Sequence, residues 1–205
     1  ATKNPLYKEV VEETTQFVER ELYNEKGGFY SSLDADSENK EGELEEGAFY
    51  VWTKEELQQL LGQDFELFAS YYNVNGYGKW EKNVYHLIRS VSDQTFCDEN
   101  KLSLEDLQAK RDHWKSVLMK ERDKRVRPRL DDKILTSWNA LMLKGYVDAY
   151  AAFNDKHYLE MALKNAHFIQ RSMMQEDGGL FRNHKLGKSN IDAYLEDYST
   201  VIEAF

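Results

Sequence analysis

Apolar positions along the chain alternate between helical stripes and short strand-like runs. Val10, Val11, Thr14, Phe17, Val18 and Leu22 recur at helical spacing. They follow Asn4, a capping residue, and Pro5, whose missing N–H costs nothing at a helix start. Gly27-Gly28 ends that helix. Residues 29–33 read as a short strand, 34–46 as an acidic loop and 48–52 as a second strand. The two strands are expected to pair as a hairpin with a long loop. Thr53 and Glu56 make a capping box ahead of Leu57, Leu60 and Leu61, and Gly62 stops that helix. Residues 65–72 predict another short helix, and 73–85 a loop. Ser103 and Asp106 cap a longer, mostly polar helix carrying Leu107, Trp114 and Leu118. Its end runs into the basic stretch 120–129, expected to be a solvated helix end.

Pro128 breaks the pattern, and Asp131-Asp132 opens the most apolar helix. Ile134, Leu135, Trp138, Leu141, Met142 and Val147 form a stripe wide enough to predict burial on most sides. Asn154-Asp155 turns the chain into a helix over 158–174, which Gly178-Gly179 ends. A short strand over 180–182 and a helix from Leu195 follow. Helical periodicity then runs to Phe205 with no cap, as expected of a piece of a longer protein.

An internal repeat organises these elements. A shift of 151 positions carries Phe17 onto Phe168, Arg20 onto Arg171, and Gly27-Gly28 onto Gly178-Gly179. Each copy reads as a helix, a Gly-Gly stop and an aromatic strand start. Units that cannot bury their faces alone must stack on neighbours.

Composition narrows the class. Asp and Glu number 37 against 27 Lys and Arg, a net charge of −10, which argues against a nucleic-acid binder. No apolar run is long enough to span a bilayer, so no membrane partner is expected. No secretory signal pattern opens the chain, and the expected location is cytoplasmic. One cysteine, Cys97, excludes a disulfide framework or a CxxC redox pair within the chain.

Candidate chemistry lies in four places. Asp34 and Asp36 follow the Gly-Gly strand, and paired carboxylates can divide acid and base roles or bind a cation. Asp34, Asp36, Glu38 and Glu45 match positions 1, 3, 5 and 12 of a calcium loop. Asn39 stands where that loop needs glycine, so no metal site is predicted. Trp138 and Asn139 lie early in the apolar helix, where a polar Asn needs a partner: backbone, water or ligand. Glu196 and Asp197 open the last helix, where they either face a cavity or cap the helix, with Arg182 as a charge partner. Of five histidines, none at zinc-ligand spacing, only His86 after Trp80-Glu81 stands out. No P-loop, dinucleotide fingerprint or nucleophile elbow is present, and no cofactor is expected.

The blocks GGFYSSLDADSEN, EGAFYVWTKEEL, WEKNVYH, KILTSWNALMLKGY and LEDYS, in this order, resemble the spermatogenesis-associated, thioredoxin-domain-containing (YyaL-like) family. The resemblance implies a mainly α fold: part of an (α/α)6 toroid of helical hairpins with short β-hairpins at one end. That toroid is similar to N-acylglucosamine 2-epimerases and six-hairpin glycosidases. A thioredoxin-like domain and the rest of the toroid would lie outside residues 1–205. One loop departs from the family pattern: Lys82 stands in place of Gly, and Tyr85 in place of Leu. The resemblance implies a carbohydrate ligand and an epimerase-like or glycosidase-like site. Asp34, Asp36, Glu196 and Asp197 would be its catalytic acids. Trp138, Asn139, Arg182 and His86 would bind the substrate. The alternative is a non-catalytic scaffold or ligand-binding domain beside the redox domain. A cut toroid exposes apolar faces and is expected to self-associate.

Overall fold

A computed structural model describes residues 2–205. In chain order the elements are α1 (Pro5–Leu22), β1 (Ser32–Leu33), β2 (Asp36–Glu38), β3 (Leu44–Glu46), β4 (Trp52–Thr53), α2 (Lys54–Leu61), α3 (Phe65–Tyr71), β5 (Val84–Tyr85), α4 (Asp93–Asn100), α5 (Leu104–Arg122), β6 (Leu130–Asp131), β7 (Ile134–Leu135), α6 (Thr136–Phe153), α7 (Lys156–Ser172), β8 (Phe181–Lys185), β9 (Lys188–Asp192) and α8 (Leu195–Ala204). The fold is mainly α, with small antiparallel strand pairs. No helix among the described residues is long and apolar enough to cross a membrane. The chain divides into two compact units, residues 1–34 with 130–205, and residues 35–129.

The first unit is built from two copies of one motif. Asn4 caps α1 by accepting from the Leu6 N–H at 3.0 Å; 151 positions on, Asp155 caps α7 by accepting from the His157 N–H at 2.9 Å. After each helix the backbone repeats the same turn. Asn24 N–H donates to Gly28 O and Tyr30 N–H to Leu22 O, matched by Gln175 to Gly179 and Phe181 to Met173, all at 2.8 Å. Gly27 and Gly178 both hold positive φ, 105° and 87°, which a side chain would resist.

The correspondence continues through the hairpins. β1 pairs with β6 in the register Ser32↔Asp131 and Leu33↔Leu130. β8 pairs with β9 as Asn183↔Asn190 and His184↔Ser189. The shift is again 151 on the outgoing strand and becomes 59 on the returning one (131 to 190, 130 to 189). In the second copy the four residues from Lys185 to Lys188 close the hairpin. In the first, residues 35–129 lie between the two strands in sequence, the chain leaving the hairpin after Asp34 and returning at Leu130. Hairpin tips tolerate such insertions because few backbone bonds cross them.

Val18, Phe29, Ile134, Tyr146, Phe168 and Ile169 lie at the centre of this unit's core. α6 packs against both α7 and α8. Its apolar stripe is only partly covered, contrary to expectation. Leu143, Tyr146 and Ala149 are buried, while Trp138, Leu141 and Val147 are exposed. Hydropathy alone does not say which neighbours a helix has.

The second unit closes around Trp52, Leu57, Phe68, Tyr71, Phe96 and Trp114. The capping box at Thr53 and Glu56 forms as read. Asp64 accepts from both Trp114 Nε1, at 2.9 Å, and Lys110 Nζ, at 2.8 Å, tying α5 to the start of α3. The expected hairpin between 29–33 and 48–52 does not form. β1 takes β6 as its partner, and β4 pairs instead with β5. The acidic loop contains its own short hairpin, β2–β3. α4 lacked a hydrophobic stripe to announce it, since only Phe96 and Cys97 on it are buried. The basic stretch is not simply solvated. Arg125 Nη1 donates to the carbonyls of Ala48, Phe49 and Val51, and its guanidinium stacks on Trp52 at 4.0 Å.

Candidate functional site

The sequence-derived candidates fall in both units. Asp34, Trp138, Asn139, Arg182, Glu196 and Asp197 belong to the first; Asp36 and His86 belong to the second.

One polar arrangement in the first unit joins the N-termini of α6 and α8. Each helix start leaves unpaired N–H groups and a partial positive charge, so a carboxylate is favoured there. Asp197, with no exposed surface, serves both ends. Its Oδ1 accepts from Ser137 N–H in the first turn of α6 at 3.0 Å. Its Oδ2 accepts from Tyr194 N–H at 2.9 Å and from Arg182 Nη1 at 3.1 Å. With both oxygens engaged, this carboxylate holds two helices together.

Glu196, one residue away, faces solvent with 59% of its side chain exposed. It accepts from the same Arg182 nitrogen at 2.8 Å. The Arg182 guanidinium lies over the Tyr194 ring at 4.6 Å. Trp138 follows Ser137 and is half exposed. Trp138 and Glu196 therefore each sit one residue from the Ser137–Asp197 bond, with Arg182 and Tyr194 beside them. Ser137 Oγ is buried with no hydrogen-bond partner among the described residues.

Asn139 is buried and turned to backbone. Its Oδ1 accepts from Phe29 N–H at 2.8 Å, and its Nδ2 donates to Phe29 O at 3.0 Å and Leu135 O at 2.9 Å. Asn165, which nothing in the sequence flagged, donates to Asn139 Oδ1 and to Gly27 O. The pair substitutes for a neighbouring strand along the Gly-Gly-Phe segment. In the second motif the equivalent bond comes from Tyr198, 59 positions on, whose hydroxyl accepts from Leu180 N–H at 3.1 Å.

Asp34 is half-buried where β1 ends. Asp36 is exposed on β2, opposite Glu46. His86 stacks on Trp80 with 4.8 Å between ring centres. Lys82 adopts φ 48° and ψ 31°, a left-handed conformation natural to glycine, and its Nζ sits 2.8 Å from Glu45. The ion pair and the Asn39 bond hold the Glu45 carboxyl below its usual range. Among the described residues, no group of three or more His, Cys, Asp or Glu side chains is placed to hold a metal ion. The second unit also contains a cavity of about 250 Å³ that the sequence did not announce beyond His86.

No protein-family model matches this chain. Curated proteins do. An uncharacterized protein of Caenorhabditis elegans is 31% identical over 98% of this chain and 31% of its own length. Spermatogenesis-associated protein 20 of Homo sapiens is 30% identical over 96% of this chain and 29% of its own length. The Mus musculus protein of that name is 29% identical over 96% of this chain and 28% of its own length. The chain thus spans less than a third of the curated relatives it matches. Homologues of this kind support the spermatogenesis-associated family that the motif blocks resemble.

Proposed function

We propose that the first unit is two hairpins of an α/α toroid and that it binds a carbohydrate-class ligand where α6 and α8 begin. The observation carrying the ligand reading is the grouping of exposed Trp138 and Tyr194 with the Arg182–Glu196 pair. An apolar ring face beside a carboxylate and a guanidinium suits the alternating C–H and hydroxyl surfaces of a sugar. Glu196 is the solvent-facing carboxylate of this group and the candidate for acid or base work. Asp197 and Asn139 orient the helices that present it. This division favours binding over a two-carboxylate hydrolytic or epimerising pair within this unit.

The two Gly-Gly turns support the toroid. A Cβ on Gly27 would lie 2.5 Å from Lys164 O of α7, and one on Gly28 would lie 2.9 Å from Ile134 and Phe168. A Cβ on Gly178 would meet nothing within 4 Å. The first turn is covered by the helix of the following motif, and the second is open to receive one. Leu195 and Ile202 are exposed on α8, as is Phe205 just after it. A further hairpin, or a second copy of the chain, would cover that face. The reading places the chain in the cytoplasm, where the buried Cys97 thiol stays reduced.

Saturation-transfer NMR with a panel of mono- and disaccharides tests the ligand reading. We expect saturable transfer to at least one sugar, reduced at least tenfold in affinity by Trp138→Ala or Glu196→Gln. No binding by a folded chain across the panel would contradict it. The same samples in D2O report the chemistry. Loss of a sugar C2 proton means epimerisation, and new anomeric signals mean hydrolysis.

A further inference from the structure

The first unit also contains a cleft of about 810 Å³ that shares no residue with the helix-start group. It opens between the Gly27 turn that follows α1 and one face of α7. Gly27 and Phe168 are buried in its lining, with Tyr23 half-buried beside them. A Cβ on Gly27 would lie 2.5 Å from the Lys164 carbonyl, so glycine lets the turn come this close to α7. The turn is fixed by its own bonds. Asn24 Oδ1 accepts from Lys26 N–H at 2.8 Å, and Asn24 O accepts from Gly27 N–H at 2.8 Å. Lys26 and Lys164 therefore line one cleft from two elements.

Charge sets this cleft apart. Lys164, His167 and Arg171 follow one another at intervals of three and four, on one stripe of α7, and all are exposed. With Lys26 they bring three cations and a histidine to the lining, against Glu25 as its acidic member. Lys26, Lys164 and Arg171 have no carboxylate partner among the described residues. Elsewhere in this acidic chain Lys40, Lys82, Lys110, Lys144 and Lys185 each sit 2.6–2.8 Å from a carboxylate oxygen. Arg171 Nε donates to His167 O at 3.2 Å, which turns the guanidinium back along α7 and leaves its terminal nitrogens unengaged. A helix C-terminus favours a cation in its last turn. That accounts for Arg171, but not for Lys164 two turns earlier or for Lys26. The repeat does not account for them either: 151 positions away, Asp177 stands for Lys26, Glu13 for Lys164 and Gln16 for His167. Gathering like charges opposes folding, and an anion in the cleft offsets that repulsion.

We propose that this cleft binds a phosphate group: a dianion between Lys26, Lys164 and Arg171, with any body it carries lying against Tyr23. A phosphate monoester offers three terminal oxygens and a charge of about −1.5 to −2, enough to engage three donors from two elements. An arginine fork grips two such oxygens at once. The site does not depend on the carbohydrate reading at the starts of α6 and α8.

Inorganic phosphate, glucose 6-phosphate and glucose are titrated into the 205-residue chain, with binding located by amide chemical shifts. Both phosphates should bind saturably at millimolar concentration or below, with shifts in residues 23–28 and 164–172. Glucose should leave those residues unmoved. Tighter binding of glucose 6-phosphate assigns a phosphorylated ligand, and equal affinity assigns free phosphate. Lys164→Gln and Arg171→Gln, both at exposed positions, should each weaken phosphate binding about tenfold while the melting temperature holds. Lys156→Gln, at the start of the same helix and outside the cleft, should leave it unchanged. An equal loss with Lys156→Gln would mean unspecific attraction and would overturn the proposal. So would the absence of shifts at 23–28 and 164–172 with either phosphate, or an affinity that survives Lys164→Gln and Arg171→Gln in folded chains. Shifts there with hexaglutamate and none with the phosphates would overturn it in favour of a surface that docks an acidic protein segment.

Discussion

The two motifs of the first unit share a backbone and differ in what surrounds it. Both begin with an Asx cap, both turn through Gly-Gly with the same hydrogen bonds, and both continue into a hairpin of the same register. Around the first, Asn139 and Asn165 grip the strand start and α7 presses on Gly27. Around the second, a single Tyr198 hydroxyl does the work of the asparagine pair, and Gly178 has open space beside it. One tip is a four-residue closure, and the other carries a 95-residue unit. Local sequence sets the turn, then, while neighbours decide how much each of its residues matters.

That difference is largest at the glycines. Gly27→Ala combines positive φ with a Cβ inside contact distance of a carbonyl, and should cost about 4 kcal/mol. Gly178→Ala meets only the φ penalty, about 1 kcal/mol. Urea denaturation of the two variants side by side measures the gap. Equal losses would mean that α7 does not enclose the first turn.

Next come the side chains that hold the strand starts. Asn139→Ala strands the Phe29 amide, the Phe29 carbonyl and Asn165 in the interior, for about 3 kcal/mol. Tyr198→Phe removes one bond, for about 1 kcal/mol. Hydrogen exchange should locate the first loss at residues 27–30 and the second at 180–181.

The smallest effect is a pH dependence found in one motif alone. Position 33 is leucine, and its counterpart is His184, paired with Ser189 and edge-on to Phe168 at 5.3 Å. Burial, with Lys26 adding to it, pushes the His184 pKa below its ordinary value of 6.5. A histidine that is harder to protonate when folded favours the native state above its unfolded pKa. That contribution is present at pH 7 and is lost as pH falls through the 6.5 region toward the folded value. His184→Leu should flatten stability between pH 7 and 5; an unchanged slope would assign it to another group.

Much of this comparison was legible in the sequence. The Asn4-Pro5 start, the Thr53–Glu56 box and the 151-residue shift are local signals, and each appears in the structure. What failed was long-range. β1 looks ready for the next strand in sequence, yet its partner lies beyond the inserted unit, and no short-range pattern encodes that register. The site candidates were legible as residue types but not as roles. Trp138 and Asn139 are adjacent and equally prominent, but helical geometry sends one to solvent and the other to the Phe29 backbone. Glu196 and Asp197 separate in the same way, one paired at the surface and the other spanning two helix starts.

The central claim is that the second unit is an insertion at the tip of a repeated hairpin. The direct test replaces residues 34–129 with Lys-Leu-Gly-Lys, the closure that the second motif uses between His184 and Ser189. Far-ultraviolet circular dichroism and urea denaturation are then followed. The account predicts a helical chain that unfolds in one cooperative transition, with amide exchange protection at residues 27–30 and 178–181 alike. A chain with no cooperative transition, or with protection lost at 27–30 alone, would contradict it.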